Sequence, residues 1–226
     1  MVKSGGKLML SSILNNLTPL FSGTKITLTI WLSSLLISIT MGTILGVVES
    51  SKSDTNRWLQ VLTRRFTQLI RALPFYLQLL IIYFAIPIIT TLNISSLAAS
   101  IISLGICSSA YVSQIIKQGI NNYQQSLWEM ALLLGYTKKQ ALLQLVLPEV
   151  FRSQALSLNG EIDQLIKSTA VCSTIGVLEI MGVTRNVIAR EMNPVSMYLN
   201  AALIFIVISY AWNTLSAFIQ ERIKRA

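Results

Sequence analysis

Three long stretches of this chain carry no charged side chain, and they restrict its fold more than any other feature. They cover residues 26–48, 72–116 and 192–220. A helix needs about 20 apolar residues to cross the hydrocarbon core of a bilayer. The first and last stretches therefore each predict one membrane-spanning helix. The middle stretch predicts two, separated by a break near Pro87 and residues 90–93.

A fifth span is predicted by a weaker pattern, from Val150 to about Val177. The segment is apolar at many positions but includes Asn159, Glu161, Asp163, Gln164 and Lys167. In the whole sequence, 53% of residues are hydrophobic and only 12% are charged, against about 25% charged residues in soluble proteins. We therefore predict an all-α polytopic membrane protein with five transmembrane helices.

The predicted organisation is one transmembrane domain with short ends. Residues 1–25 form an N-terminal external or interfacial segment, residues 26–220 the transmembrane domain, and residues 221–226 a basic cytoplasmic tail. Residues 178–197 form an external loop. In the first span, two glycines lie four residues apart, at Gly42 and Gly46. This spacing of small residues favours the close approach of another helix.

The distribution of positive charge predicts the orientation of the chain in the membrane. The net charge is +9, with 18 Lys and Arg residues. If the N-terminus is outside, twelve of those 18 residues fall in inside segments. Because positive residues concentrate on the cytoplasmic side of membrane proteins, we predict the N-terminus outside and the C-terminus in the cytoplasm. The polar loop of residues 121–148 is then cytoplasmic.

Several kinds of chemistry are excluded by what the sequence lacks. It contains no His, which removes His-based zinc sites and Ser-His-Asp triads. It has no phosphate-binding loop of the G-x-x-x-x-G-K-[ST] type, so it does not bind ATP by that route. The two cysteines, Cys107 and Cys172, lie in apolar surroundings and are interpreted as core residues. We predict no catalytic residue, metal site or cofactor.

Residues 121–148 combine helix-end signals in a polar stretch. Ser126 and Glu129 have the spacing of a capping box, so Ser126 is predicted as the N-cap of a short helix. Gly135 fits the C-terminal end of that helix. A second helix is predicted from residues 136–139 to Leu147. By these caps alone, an ordinary interfacial helix-turn-helix is the favoured interpretation.

The same segment resembles the EAA loop of ABC-importer permease subunits. The residues that carry the resemblance are Glu129, Met130, Ala131 and Gly135, followed by Leu145, Leu147 and Pro148. The sequence departs from the pattern at Met130, where a second small residue is usual. In these permeases the loop docks on an ATPase, so the resemblance implies that role for these seven residues.

The resemblance extends to the polar amino acid branch of these permeases and covers about residues 23–210. It is carried by the segments 23–46, 71–87, 110–120 and 167–170. Gln114 and Lys117 stand where this branch usually has Glu and Arg. These departures do not change the family that the sequence resembles.

The resemblance implies a non-catalytic inner-membrane subunit that works by alternating access. Its partners would be two copies of an ABC ATPase, a second permease chain that is identical or a sister, and an external solute-binding protein. Membrane lipid is also a partner, and nucleic acid is not. The import direction comes from the resemblance. The acidic residues of the fourth span favour arginine or another basic amino acid as substrate, with glutamine next.

The polar residues of the fourth span are the candidate substrate pathway. Ionisable groups at membrane depth are costly and usually face a pathway. Glu161, Gln164 and Ser168 can share one helix face, whereas Asp163 lies about 200° from Glu161 and can pair with Lys167 four residues later. We predict that Glu161, Gln164, Asp163 and Ser168 line the pathway. The alternative is that they are solvated at the membrane edge.

Two further residue sets fit a membrane setting. The tryptophans are interpreted as interfacial anchors, and they are Trp31, Trp58, Trp128 and Trp212. A basic strip fits lipid phosphate and the positive-inside rule without nucleic acid, and it consists of Arg57, Arg64, Arg65 and Arg71.

Two other function classes stay open from the sequence. A self-contained secondary transporter or channel would work without an ATPase, although the sequence shows no internal repeat of the kind such transporters usually carry. A membrane-embedded enzyme would need chemistry from Asp, Glu, Ser or Cys. Co-purification of an ATPase distinguishes the permease from a secondary transporter or channel. Turnover of a substrate by the purified chain alone would indicate the enzyme.

Overall fold

The structure is a computed structural model that describes residues 17–50, 57–123 and 125–225. Throughout these ranges the chain forms helices and short connections, without a strand. The α-helices in chain order are α1 (Leu17–Ser50), α2 (Arg57–Ala72), α3 (Phe75–Leu80), α4 (Ile86–Thr90), α5 (Ser96–Asn122), α6 (Gln125–Leu133), α7 (Lys138–Ala141), α8 (Leu147–Ser153), α9 (Ala155–Ser168), α10 (Ile180–Glu191) and α11 (Pro194–Arg225). The all-α prediction is confirmed.

Three helices are each long and apolar enough to cross a membrane. They are Thr18–Ser50, Ser96–Asn122 and Pro194–Arg222. Two bent helix pairs, Arg57–Ala72 with Phe75–Thr90 and Ala155–Ile175 with Ile180–Glu191, raise the number to five if each pair counts as one span. The chain is therefore a multi-pass membrane protein, and the predicted five spans equal the upper number.

The structure changes the start of the first membrane helix and refines the position of the break in the middle stretch. The first helix begins at Leu17 rather than at residue 26, because the mildly apolar residues before Lys25 continue the same helix. The break in the middle stretch falls after Thr90, where Thr91 takes a left-handed conformation with φ 59°. The helix runs through Pro87, so of the two places predicted for the break, residues 90–93 are confirmed and Pro87 is not.

Wide helical turns explain how two prolines fit inside helices. Proline lacks an N–H, and its ring collides with the carbonyl four residues earlier in a regular α-helix. Before Pro87 the chain forms a π-helical turn, Ile81–Ala85, and the Ile86 N–H donates to the carbonyl five residues earlier. A second π turn, Leu142–Val146, precedes Pro148 in the same way. The wider turn provides room for the ring.

A helix replaces most of the predicted loop at residues 178–197. The buried Glu179 caps α10: one carboxylate oxygen accepts from the Gly182 N–H at 2.8 Å and the other from the Met181 N–H at 2.9 Å. The helix ends at Met192, which has φ 53°, and Pro194 begins α11. The loop prediction is therefore wrong. Its polar composition reflects a capped helix.

The chain divides into two compact units. Among the described residues, the first comprises residues 17–34, 75–104 and 163–214. Its core cluster contains Leu20, Val183, Val187 and Met197. In this unit Trp31 and Trp212 pack edge to face, with ring centroids 5.3 Å apart. The interpretation of Trp31 as an interfacial anchor is not supported, because its side chain is buried inside the unit, well within α1.

Among the described residues, the second unit comprises residues 35–50, 57–74, 105–123, 125–162 and 215–225. Its core cluster contains Val112, Ile116, Val146, Val150 and Leu158. These side chains come from α5, the second π turn, α8 and α9. The core therefore joins an apolar spanning helix to the polar segment that follows it.

Gly42 and Gly46 lie against α5, as their spacing predicts. A Cβ added at Gly42 would lie 2.7 Å from the Val112 Cβ, and one added at Gly46 would lie 2.7 Å from the Ser113 carbonyl oxygen. Both distances are shorter than van der Waals contact. The close approach of α1 and α5 therefore requires glycine at both positions.

We expect Gly42→Ala to lower the free energy of unfolding by about 1–3 kcal/mol, because the methyl group overpacks a close helix contact. Gly160→Ala is the matched control, since a Cβ there has no neighbour within 4 Å. Thermal unfolding of the purified variants in detergent measures both effects. Equal stability of the two variants would contradict the close approach.

Candidate functional site

Gly135 ends the first short helix of the polar segment in a left-handed conformation. Its φ is 88°. The Tyr136 N–H donates to the Ala131 carbonyl and the Gly135 N–H to the Leu132 carbonyl, both at 3.1 Å. This pair of hydrogen bonds is a Schellman motif, in which glycine at the left-handed position avoids a Cβ penalty. The prediction of Gly135 as the C-terminal cap is confirmed.

The other predicted helix ends in this segment are partly right. Helix α6 begins at Gln125, which places Ser126 inside the helix, so the prediction of Ser126 as N-cap is wrong. Thr137 caps the next helix in a capping box with Gln140: its N–H donates to the Gln140 side-chain oxygen at 2.9 Å. The helical path continues through the π turn and Pro148 to Ser153.

One side of this segment exposes large apolar side chains. Met130, Leu133 and Leu134 are 54%, 87% and 73% exposed, and Leu143 on the following turn is also exposed. Glu129 lies beside them and is exposed as well. Such a concentration of apolar surface on a short helix and its turn is typical of a protein-binding surface. We name the set Glu129, Met130, Leu133, Leu134 and Leu143 the exposed patch.

The opposite side of the segment is fixed to the core of the second unit. Trp128, Leu142 and Leu147 pack against the core cluster. Ala131 is buried, while Leu145 is half-buried and Pro148 is exposed. Of the seven residues that carry the resemblance, Ala131 and Leu147 therefore brace the segment from inside. Contact with a partner is open to the exposed Glu129, Met130, Gly135 and Pro148 and to the half-buried Leu145.

Helix α9 carries all four residues of the candidate pathway, and Glu161 ends a chain of hydroxyl groups. The Ser38 Oγ donates to the Ser108 Oγ at 2.8 Å, and the Ser108 Oγ donates to a Glu161 carboxylate oxygen at 2.7 Å. Ser38 and Ser108 are buried. The carboxylate is thus held by a directed hydrogen bond from α5. Sequence reasoning missed both serines, because small polar residues are common in membrane helices.

Asp163 is paired on its own helix. The Lys167 Nζ lies 2.5 Å from one oxygen of Asp163, and the Asn213 amide donates to the other at 3.5 Å. The prediction of an Asp163–Lys167 pair is confirmed, so the charge of Asp163 is largely neutralised where it stands. The Ser168 hydroxyl donates to the Gln164 carbonyl at 2.9 Å, while the Gln164 side chain is exposed.

A second carboxylate cluster was not found from the sequence. Glu49, at the end of α1, has a side chain only 1% exposed, and the Lys117 Nζ lies 3.0 Å from it. The Thr67 hydroxyl donates to Glu49 at 2.6 Å and the Gln114 amide at 3.2 Å. One carboxylate therefore ties α1, α2 and α5 together. The sequence feature that could have identified Glu49 is its position as the charged residue directly after the first uncharged stretch.

These features define a class of protein. The chain is a multi-pass α-helical membrane protein with a short helical segment that is anchored to its core on one side and exposed on the other. The family described as "Binding-protein-dependent transport system inner membrane component" matches residues 38–225, and the chain belongs to this family.

Two named relatives illustrate the similarity of this chain to known proteins. The "Putative glutamine transport system permease protein GlnP" of Rickettsia prowazekii (strain Madrid E) is 31% identical over 162 residues, 72% of this chain and 73% of that protein. The "Arginine transport system permease protein ArtQ" of Bacillus subtilis (strain 168) is 29% identical over 198 residues, 87% of this chain and 90% of that protein.

The fold has a close counterpart among solved structures. The structure described as "Crystal structure of an amino acid ABC transporter with histidines" contains a chain that aligns with a TM-score of 0.82 at 24% identity. The alignment covers 93% of this chain and 97% of that chain. At this identity the likeness shows a shared fold.

We expect Glu49→Gln to lower the free energy of unfolding by about 1–3 kcal/mol, because it leaves the Lys117 ammonium facing an uncharged, buried partner. The double variant Glu49→Gln/Lys117→Gln should recover part of that loss, since no charge is then unpaired. Chemical unfolding of the two variants and of Lys117→Gln in detergent gives the coupling energy. A coupling energy of zero would show that the pair contributes nothing.

Proposed function

We propose that the chain is the membrane-spanning permease subunit of an ATP-driven ABC importer for polar amino acids. Family membership and the names of the relatives support the proposal, because both describe transport system components. In this proposal the subunit carries no catalytic group, and a separate ATPase hydrolyses ATP. The transmembrane domain covers about residues 26–220, preceded by residues 1–25 and followed by the basic tail 221–226.

The exposed patch is the observation that carries the proposal. Met130, Leu133 and Leu134 lie on a short helix or directly after it, and a Schellman turn ends that helix, so their positions are fixed before a partner binds. Preorganisation of this kind lowers the entropic cost of association. We assign the docking of the ATPase to the exposed patch, which includes Glu129 and Met130, together with Gly135, Leu145 and Pro148. Ala131 and Leu147 are the residues that brace them.

The packing of the segment supports a route by which ATPase movement reaches the spans. Trp128, Leu142 and Leu147 pack on the same core cluster that includes Val112 of α5 and Leu158 of α9. A displacement of the docked segment therefore presses on the two helices that meet at the Ser108–Glu161 hydrogen bond. In our proposal ATP binding drives this displacement, and the pathway changes from inward-facing to outward-facing.

The proposed assembly contains two ATPase copies, a second permease chain that is identical or a sister, and an external solute-binding protein. The charge distribution supports an N-terminus outside and a C-terminus in the cytoplasm, because twelve of the 18 Lys and Arg residues then lie inside. This orientation puts the exposed patch on the side where ATP is available.

Glu161 is the proposed centre of the substrate pathway. Its carboxylate is fixed by Ser108, whereas Asp163 is neutralised by Lys167. The group with charge available for a substrate is therefore Glu161, and it fits a basic amino acid such as arginine, or an amide donor such as glutamine. Gln164 and Ser168 complete the pathway. Asp163 contributes its position and little net charge.

We expect Glu161→Gln to reduce uptake of a basic amino acid at least about tenfold, because a charge-assisted hydrogen bond contributes about 1.5–3 kcal/mol. The double variant Asp163→Asn/Lys167→Gln should change uptake less than about threefold, since it removes two opposite charges together. Uptake into vesicles that contain the complete transporter measures both. If the double variant reduced uptake more than Glu161→Gln does, Asp163 rather than Glu161 would be the centre of the pathway.

Variants of Gly135 test the docking assignment. A residue other than glycine costs about 1–2 kcal/mol in the left-handed conformation, and a β-branched residue costs more, while asparagine tolerates it best. We expect Gly135→Val to lose the ATPase and Gly135→Asn to retain it. The measurement is a pull-down of the tagged chain from native membranes in mild detergent, with partners identified by mass.

The outcomes of this pull-down separate the function classes. An ATPase recovered with wild type and Gly135→Asn, and lost with Gly135→Val at equal membrane levels, supports the permease and its docking segment. A second permease in the same sample identifies the pairing. Intact, well-expressed wild-type chain without any ATPase would reject the proposal in favour of a self-contained secondary transporter or channel.

A further inference from the structure

Helix α2 has an unusual distribution of polar and apolar residues. Its two buried residues are threonines, Thr63 and Thr67. Most of its large apolar residues are exposed instead: Trp58 is 79% exposed, and Leu62 and Leu69 are more than half exposed. A helix on the surface of a water-soluble protein shows the opposite pattern, with its apolar stripe toward the core. The outer face of α2 is therefore suited to an apolar environment.

The exposed apolar residues form a continuous stripe. Residues 58, 62 and 69 fall within about 40° of one another around a helix, since each residue advances by about 100°. The half-exposed Leu59 extends the stripe on one side. We name Trp58, Leu59, Leu62 and Leu69 the outer stripe.

Arginines border the outer stripe on its other side. Arg65 lies within about 20° of Trp58 on the helix, and Arg57 and Arg64 follow further around. All three side chains are exposed. Arg71 does not belong to this border, because its guanidinium carbon lies 5.6 Å from the centre of the Tyr111 ring and so contacts the protein itself. The outer face thus combines a large apolar strip with three positive charges, and α2 carries no acidic residue.

The orientation of this face is fixed by the protein. Thr67, on the inner side, donates to Glu49, and Glu49 is itself held by Lys117 and Gln114. Rotating α2 to hide its apolar stripe would break the Thr67 hydrogen bond and expose a buried carboxylate. The helix is also not one of the three helices that can span a membrane by themselves.

We propose that the outer face of α2 lies in the membrane interface and binds anionic phospholipid. The outer stripe enters the boundary between headgroups and acyl chains, and Arg57, Arg64 and Arg65 contact lipid phosphates. Basic amphipathic helices with Trp and Leu on the apolar face bind anionic membrane surfaces in this way. The inference needs a membrane-embedded chain, but it is independent of the substrate and of the ATPase.

Charge argues against a second copy of the chain as the occupant of this face. A two-fold contact brings the same patch of both subunits together. It would then oppose the three arginines of one copy to those of the other, and juxtaposed like charges disfavour an interface. An anionic headgroup complements the same three charges. Lipid is therefore the occupant that matches both the apolar and the charged parts.

The first test measures whether lipid reaches Trp58. The full-length chain, with any subunits that co-purify, is reconstituted into vesicles whose phospholipids carry bromine at defined acyl positions. The fluorescence of Trp58 is the component that is lost in Trp58→Phe. We expect bromine near the headgroup to quench this component, and bromine deep in the acyl chains to quench it less. Absence of that component would overturn the proposal, since the face would then be covered by protein or open to water.

The second test measures the preference for anionic lipid. Quenching of Trp58 by brominated phosphatidylglycerol is compared with quenching by brominated phosphatidylcholine in mixed vesicles. We expect a ratio well above one for wild type, falling to about one in Arg64→Gln/Arg65→Gln, because the phosphate contacts are lost. The matched control Arg190→Gln/Arg222→Gln removes two charges elsewhere and should keep the wild-type ratio.

Each remaining outcome of these tests has a definite meaning. A wild-type ratio of one would overturn the role of the arginines and with it the anionic-lipid site. Quenching that appears only when the chain is diluted to a monomer would replace lipid by a second copy as the occupant. A chain that passes both tests without binding an ATPase would support this inference while rejecting the proposed transport function.

Discussion

The close contact between α1 and α5 is the interaction on which the rest of the second unit depends. Gly42 and Gly46 allow the two backbones to meet, and the polar groups on either side are aligned by that contact. Toward one end, Ser38 reaches Ser108 and through it Glu161. Toward the other end, Glu49 reaches Gln114 and Lys117. Without the glycines, these hydrogen bonds would be longer than polar groups shielded from water can tolerate.

The sequence predicted the features that depend on local pattern. Uncharged stretches predicted the long helices, a glycine after an apolar run predicted the cap at Gly135, and four-residue spacing predicted the Asp163–Lys167 pair. The candidate site was predicted as a set of positions. The division of that set into exposed Met130 and buried Ala131 depends on tertiary packing, which no local pattern contains.

The features that sequence reasoning missed are long-range or depend on unusual local geometry. Glu49 and its partners are separated by many residues along the chain, so no spacing rule connects them. Glu179 caps α10, although Ser, Thr, Asp and Asn are the usual caps, and the helix was therefore taken for a loop. Pro87 was interpreted as a break because a π turn ahead of a proline leaves no signal in hydropathy.

The π turn at Leu142–Val146 has a consequence for the register of the chain. The buried residues of this stretch are Ala141, Val146 and Val150, so the intervals between them are first five residues and then four. A regular α-helix returns to the same side after three or four residues, and the longer interval reflects the extra residue in the wide turn. The length of the turn thus sets the rotational register of the helix. Removing one residue from the turn would restore a regular helix and rotate the residues before the turn by about 100° relative to Val150. Length in this short stretch is therefore as strict a constraint as residue identity, and aligned relatives can be compared by whether they keep the same count between Gly135 and Pro148.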